Sequence, residues 1–215
     1  MKKNLFVVVS AWATLSVATV PALAEGDIAA GAVKSATCVP CHMADGNSVA
    51  PIWPKLAGQS ASYMVKQLKD LKAKRREDPT MGPQAALLTE QEMRDLAAYF
   101  STQVIAPGSS NQPALLNAGE QLYRKGRIKA RIIACTGCHG QNGKGNHGLL
   151  QSIGASPVAE APAIGGQHAM YVVKQIKAFR DGTRTNDVGK TMHNLAKEMS
   201  DDEIAAVAEY ITNLR

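Results

Sequence analysis

Two five-residue strings constrain this chain more than anything else in it: Cys38-Val39-Pro40-Cys41-His42 and Cys135-Thr136-Gly137-Cys138-His139. Between them they hold all four cysteines of the 215 residues. That is too few for a disulfide-dense scaffold, so placement decides their use. The N-terminus indicates the compartment. Met1-Lys2-Lys3 precedes an apolar run from Leu5 to about Val20, and Pro21-Ala22-Leu23-Ala24 closes it with small residues two apart. A charged start, an apolar middle and a small-x-small end predict a secretory signal cut after Ala24. The alternative, an uncleaved anchor, rests only on the near-spanning length of the run. The mature chain is therefore expected to be soluble and periplasmic. Thiols in an oxidising compartment normally pair, so something else must consume all four cysteines.

The two strings open parallel halves. Leu56-Ala57-Gly58-Gln59, then Tyr63 and Lys66-Gln67-Leu68-Lys69, is echoed by Ile164-Gly165-Gly166-Gln167, then Tyr171 and Lys174-Gln175-Ile176-Lys177. Thr80-Met81 and Tyr99-Phe100 are echoed by Thr191-Met192 and Tyr210-Ile211. From histidine to the Gly-Gln pair the second half is 11 residues longer, which places an insertion around residues 147–160. Two copies make a tandem domain pair, since a solenoid needs at least about three repeats. Both halves read as helical. Apolar residues recur every three or four positions over residues 63–74 and 171–180. Thr89-x-x-Glu92 and Ser200-x-x-Glu203 are capping boxes that start helices over 90–101 and 201–214. Helices also fit 27–35 and 114–124, while 47–54 and 140–162 read as loops held by Pro and Gly. No sustained alternating strand pattern occurs. Pro107-Gly108-Ser109-Ser110-Asn111-Gln112-Pro113 has the composition of a boundary. The division is thus 1–24 signal, 25–106 first domain, 107–113 linker and 114–215 second domain.

In an exported chain, Cys-x-x-Cys-His is the signature of covalent c-type haem attachment. Cysteines at i and i+3 share one side of a helical turn, where two sulfurs reach the two vinyl groups of a porphyrin edge. The histidine at i+4 puts an imidazole nitrogen on iron. Two thioethers per motif use all four thiols. Zinc hooks also use Cys-x-x-Cys, and a thioredoxin-like motif would need a βαβ context that this chain lacks. For the sixth iron ligand the first half offers no histidine beyond His42, which leaves Met43, Met64, Met81 and Met93. Met43 adjoins the proximal histidine and cannot cross to the opposite face. Met64 and Met93 fall within helical apolar patterns and read as core. Met81, in the Pro/Gly-bounded stretch 78–83, aligns with Met192, and this pair is assigned. His147, His168 and His193 have no counterpart in the first half and are expected at the surface. His/Met ligation closes both axial positions and raises the potential relative to bis-His. Pro54 and Pro162 align, and a carbonyl neighbouring them is a candidate acceptor for the proximal histidine.

With these residues in view the sequence resembles the cytochrome c4 family, exported proteins built from two class I cytochrome c domains. The likeness covers residues 25–215. It is carried by the two haem motifs, Trp53-Pro54-Lys55-Leu56-Ala57-Gly58-Gln59, Tyr63-Met64-Val65-Lys66-Gln67-Leu68, Thr80-Met81 and Leu96-Ala97-Ala98-Tyr99-Phe100. It implies an all-α fold of two domains related by a pseudo-two-fold axis, with the haems facing one another. It implies Cys38, Cys41, His42 and Met81 for one haem c, and Cys135, Cys138, His139 and Met192 for the other. Met43 departs from the family pattern, which continues with glycine as Gly140 does. The expected role is an electron carrier of a respiratory chain and not an enzyme. Its partners would be redox proteins, a quinol–cytochrome c reductase as donor and a terminal oxidase as acceptor, with room for peripheral membrane association. The rival is a cytochrome subunit of a redox enzyme, such as a sulfide-oxidising flavocytochrome or a di-haem peroxidase or dehydrogenase.

Charge adds a detail. Residues 25–110 carry 9 basic and 9 acidic side chains, and residues 111–215 carry 13 and 9, so the whole excess lies in the second half. Arg124, Lys125, Arg127, Lys129 and Arg131 crowd ahead of the second motif, either as a solvated loop or as a docking face for an acidic redox partner. The excess is too small to imply nucleic acid.

Overall fold

The protein is described here from a computed structural model covering residues 25–146 and 161–214. Residues 1–24, read from the sequence as a signal, and the insertion at 147–160, with His147, lie outside the described residues. The first half consists of α1 (Ile28–Lys34), α2 (Val39–His42), α3 (Ala61–Lys72), α4 (Met81–Ala86) and α5 (Glu90–Ser101). The second consists of α6 (Leu116–Lys125), α7 (Thr136–His139), α8 (Ala169–Arg180), α9 (Thr191–Ala196) and α10 (Asp201–Asn213). Among the described residues the only β contacts are the isolated bridges Arg127–Ile132 and Asn146–Ala161. The fold is all-α.

Local chemistry sets the helix starts. Both capping boxes form: Thr89 and Glu92 open α5, and Ser200 and Glu203 open α10. The Asp27 carboxylate accepts from the N–H groups of Ala29 and Ala30 at 2.7 and 3.1 Å and opens α1. α3 and α8 begin two residues before the apolar periodicity does. Their first turns, Ala61-Ser62 and Ala169-Met170, add no regular apolar stripe, and Ser60 caps α3 through its hydroxyl. The short α4 begins inside the Pro/Gly-bounded stretch 78–83, and neither it nor α9 was expected as a helix, since single turns rich in Gly or polar residues leave no periodic signal.

In each half the first helix crosses the last at a glycine. A Cβ on Gly31 would stand 2.0 Å from the Asp95 carbonyl oxygen, and one on Gly119 2.1 Å from that of Ala206. Only glycine allows so close a crossing of α1 on α5 and of α6 on α10. The first core gathers Met64, Leu88, Met93, Leu96, Ala97 and Phe100. Met64 and Met93 are thus core residues, as their helical spacing suggests. The second core includes Leu122, Tyr123, Ile132, Val172, Ile176, Phe179, Ile204 and Val207. The boundary stretch is strapped to α10: the Ser110 hydroxyl donates to Glu209 at 2.6 Å, and the Ser110 N–H to Asn213 at 3.1 Å.

The halves meet through a reciprocal polar network. Arg76 of the first half donates to the Tyr171 hydroxyl of the second at 3.1 Å, and Arg184 of the second donates to the Tyr63 hydroxyl of the first at 3.0 Å. Gln67 Oε1 accepts from Arg76, Arg184 and Asn186 together. Lys66 reaches the Asn186 carbonyl, and Lys174 reaches Asp78. Burial alone would raise the Asp70 pKa, but hydrogen bonds from Lys66, Asn186 and Arg75 hold it below its ordinary value. The two Arg–Tyr contacts mirror each other about the boundary, whereas the Asp70 cluster belongs to the first half alone, since Ala178 stands at the matching position.

Candidate functional site

Each motif forms one helical turn. The N–H groups of His42 and His139 donate back to the carbonyls of Cys38 and Cys135, both at 2.9 Å. Two cysteines and a histidine are thereby presented over a single turn in each half. No disulfide joins any of the four cysteines, so both pairs keep their sulfurs for attachment. Cys38 packs against the first core, and Cys135 against the second. The residue after each histidine leaves the helix with the same backbone twist: Met43 has φ 64° and ψ 164°, Gly140 φ 78° and ψ 164°.

Both histidines are buried and oriented in the same way. His42 Nδ1–H donates to the Pro54 carbonyl at 2.9 Å, and His139 Nδ1–H to the Pro162 carbonyl at 2.9 Å. The acceptor is the proline's own carbonyl in each case, which makes specific what the alignment of the prolines suggested. Burial moves both imidazoles below their ordinary pKa, with the proline bond acting against it. With Nδ1 committed as the donor, the basic nitrogen is Nε2. In His42 this atom is buried and has no hydrogen-bond partner among the described residues. A buried acceptor left unpaired costs about 1–3 kcal/mol, so this one fits a metal that takes its lone pair.

The two methionines assigned from the sequence lie in the fourth helix of each half. Met192 is the second residue of α9 and packs on the second core together with Cys135. A cleft beside α9 has Arg131, Ile133, Thr191, Leu195 and Lys197 among its lining residues. Met81 starts α4 and is half-buried. Its N–H donates to the Asp78 carboxylate at 2.9 Å, and Asp78 in turn meets Lys174 of the other half. Two histidines expected at the surface are half-buried. His168 Nε2 bonds the Ser48 carbonyl across the domain boundary at 2.8 Å, and His193 Nδ1 bonds the Phe179 carbonyl at 2.8 Å. A polar ring beside a core or interface stays there when a carbonyl satisfies it.

The proline peptides that receive the histidines are held from the opposite half. The Lys55 N–H donates to Gln167 Oε1 at 2.9 Å, and Gln167 Nε2 donates to the Lys55 carbonyl at 2.9 Å. In mirror image, the Ala163 N–H donates to Gln59 Oε1 at 3.0 Å, and Gln59 Nε2 to the Ala163 carbonyl at 2.9 Å. Neither glutamine stood out as functional in the sequence. The available signal was an identical amide beside glycine at the same place in both halves.

Ahead of the second motif, residues 127–132 fold into a small hairpin anchored by the fully buried Ile132. Arg127 is held by both oxygens of Glu203 at 2.7 and 3.0 Å, and Arg124 by Glu120 at 2.9 Å. Lys125, Lys129 and Arg131 point into solvent around the exposed Ile128 and Ile133.

The Cytochrome c family model matches this sequence twice, over residues 28–103 and 116–215. Cytochrome c4 of Pseudomonas aeruginosa is 44% identical over 192 residues, covering 89% of this chain and 90% of that protein. A thiosulfate dehydrogenase electron acceptor of Stutzerimonas stutzeri is 38% identical over 182 residues, 82% of this chain and 78% of that protein. Among solved structures, reduced recombinant cytochrome c4 from Pseudomonas stutzeri superposes with a TM-score of 0.80 at 41% identity, over 89% of this chain and 100% of that one.

Proposed function

This chain belongs to the cytochrome c4 family, and on that premise we propose that it carries single electrons between redox proteins in a bacterial periplasm and has no substrate chemistry of its own. It contains two cytochrome c domains and holds two haem c groups. In our reading the domains span 25–106 and 114–215. Cys38 and Cys41 form the thioethers of the first site, and Cys135 and Cys138 those of the second. His42 and His139 are the proximal iron ligands, and Met81 and Met192 complete the coordination. When bound, each haem c supplies a one-electron Fe(III)/Fe(II) couple. The observation that carries this reading is the buried, unpartnered Nε2 of His42 above a fixed Nδ1.

What the chain itself does follows from that arrangement. The proline carbonyls fix the tautomer and plane of each imidazole. A histidine and a methionine both committed to each iron would leave no place for water or small ligands, which suits outer-sphere transfer. Of the five crowded cations, Arg124 and Arg127 are neutralised within the domain. Lys125, Lys129 and Arg131 remain to steer an acidic redox partner toward the second site, an effect that salt should weaken. Donor and acceptor are, on this reading, a quinol–cytochrome c reductase and a terminal oxidase. Likeness to a thiosulfate dehydrogenase electron acceptor favours a second source, a thiosulfate-oxidising enzyme feeding the same carrier.

Visible spectroscopy of the exported protein tests the site. Two low-spin c-type haems per chain are expected, each with a sulfur-to-ferric-iron charge-transfer band. Met81→Ala and Met192→Ala should each remove that band at one haem; an unchanged spectrum refutes that ligand. Rapid cyanide or carbon monoxide binding by the unmodified protein at neutral pH would refute the closed site. Mass spectrometry should find Glu25 at the mature N-terminus. Reduction assays with a quinol–cytochrome c reductase and with a thiosulfate dehydrogenase decide between the two electron sources.

A further inference from the structure

We propose that each domain sets the electronic character of the other domain's iron site: Gln167 acts on His42, and Gln59 on His139, each through a single shared peptide group. The inference rests on His42 and His139 being the proximal ligands.

The first relay runs through the peptide between Pro54 and Lys55. Its carbonyl, on Pro54, accepts from His42 Nδ1–H at 2.9 Å. Its N–H, on Lys55, donates to Gln167 Oε1 at 2.9 Å. The second runs through the peptide between Pro162 and Ala163, with His139 Nδ1–H on the carbonyl at 2.9 Å and Gln59 Oε1 on the N–H at 3.0 Å. An amide whose N–H is engaged by an acceptor carries more negative charge on its oxygen, and bonds in such a chain strengthen one another by roughly 10–30% each. A stronger acceptor draws the Nδ1 proton and makes Nε2 a better donor to a metal. Greater donation favours the ferric state and lowers the potential at that site.

Both glutamines are well placed for this. Gln167 is buried, its Oε1 also takes the His168 N–H at 3.1 Å, and its backbone carbonyl accepts from the Thr212 hydroxyl at 2.8 Å. Gln59 Oε1 likewise takes the Ser60 N–H at 3.0 Å. The side-chain amide returns a second bond from Nε2 to the Lys55 or Ala163 carbonyl, so the residue after each proline is clamped at both its N–H and its carbonyl. Gln59 and Gln167 are positioning residues: they touch neither iron ligand and act through the peptide between.

The test uses the exported holoprotein with Gln167→Leu, Gln59→Leu and the corresponding Gln→Glu variants. The two midpoint potentials are measured by spectroelectrochemical titration and assigned to each haem by NMR. The proximal Nδ1–H resonances are recorded in the fully reduced protein. Gln167→Leu should raise the potential of the His42 haem, move the His42 Nδ1–H resonance upfield and leave the His139 haem unchanged. Gln59→Leu should do the mirror image. The Glu variants restore an acceptor and should bring the potential back to or below that of the unmodified chain. A shift at the haem of the mutated residue's own domain would overturn the proposal. So would a fall in potential with the Leu variants, the result expected if the domains merely part and water enters, or an unshifted potential with an intact low-spin spectrum. Failure of the ligand assignment has a separate signature: His42→Gly would leave the spectrum of the first haem intact.

Discussion

Position 43 shows what a single residue can cost. Met43 holds φ 64° and ψ 164°, a conformation that its counterpart Gly140 adopts freely. A side chain held in this glycine region costs on the order of 1–3 kcal/mol. Part of that is offset by the extra chain entropy that glycine loses on folding, roughly 0.5–1 kcal/mol. Met43→Gly should therefore stabilise the holoprotein by about 1 kcal/mol, seen as a higher urea midpoint with an unchanged slope. A lower midpoint would show that the exposed Met43 side chain makes contacts worth more than the strain. At this scale the sequence was informative where chemistry repeats. The two strings and the matched methionines named the candidate residues, and the aligned prolines pointed to the histidines' acceptors. Lone residues were harder to place. His168 has serine at the equivalent position of the first half, and its partner Ser48 lies 120 residues away, so no local pattern marks it as an interface residue.

Helices were legible where they are long and capped, and α5 begins and ends where the capping box and periodicity put it. Ser200→Ala removes the hydroxyl that accepts the Glu203 N–H at 3.2 Å, and should cost about 1 kcal/mol in thermal or urea unfolding. The first capping box adds a pH dependence. Hydrogen bonds from Lys34, and then from Thr89, lower the Glu92 pKa to about 2. A carboxylate depressed in the folded state contributes stability that is complete above its unfolded pKa of about 4.5 and lost as pH falls through 2. Glu92→Gln should thus flatten the acid limb of the stability curve between those values; an unaltered limb would show that the Glu92 charge contributes nothing there. The glycine crossings depend on backbone contact, which propensity does not report. Gly31→Ala and Gly119→Ala each put a methyl group about 2 Å from a helix carbonyl. Each should cost about 1–3 kcal/mol or more by prising the first helix from the last, with a lowered melting temperature as the measure.

The whole molecule is organised by an interface that the duplicated sequence implied but did not locate. Its contacts join positions about 100 residues apart, and nothing local reports which faces of two similar domains will meet. Once seen, the pairing is regular: Tyr63, Gln67 and Arg76 correspond to Tyr171, Gln175 and Arg184. Arg184→Ala would strip charged donors from Tyr63, Gln67 and Gln175 in a buried setting. It should cost about 2–3 kcal/mol and split one unfolding transition into two, followed separately at each haem's absorption. A single unshifted transition would mean that the halves are held by other contacts. The regularity also has a consequence for chain length. From Lys55 to Asp78 every position has its counterpart 108 residues on, whereas the second half carries 11 extra residues before this block and 3 after it, ahead of Thr191. The block's own length is locked. A one-residue deletion within it would throw a glutamine clamp and an arginine out of register together, and would damage the neighbouring domain as much as its own. Loops on either side can lengthen at little cost. Among related chains of unequal length, insertions should therefore fall outside residues 55–78 and 163–186. A chain that gains or loses residues inside one block has either changed the other to match or given up the pairing of its halves.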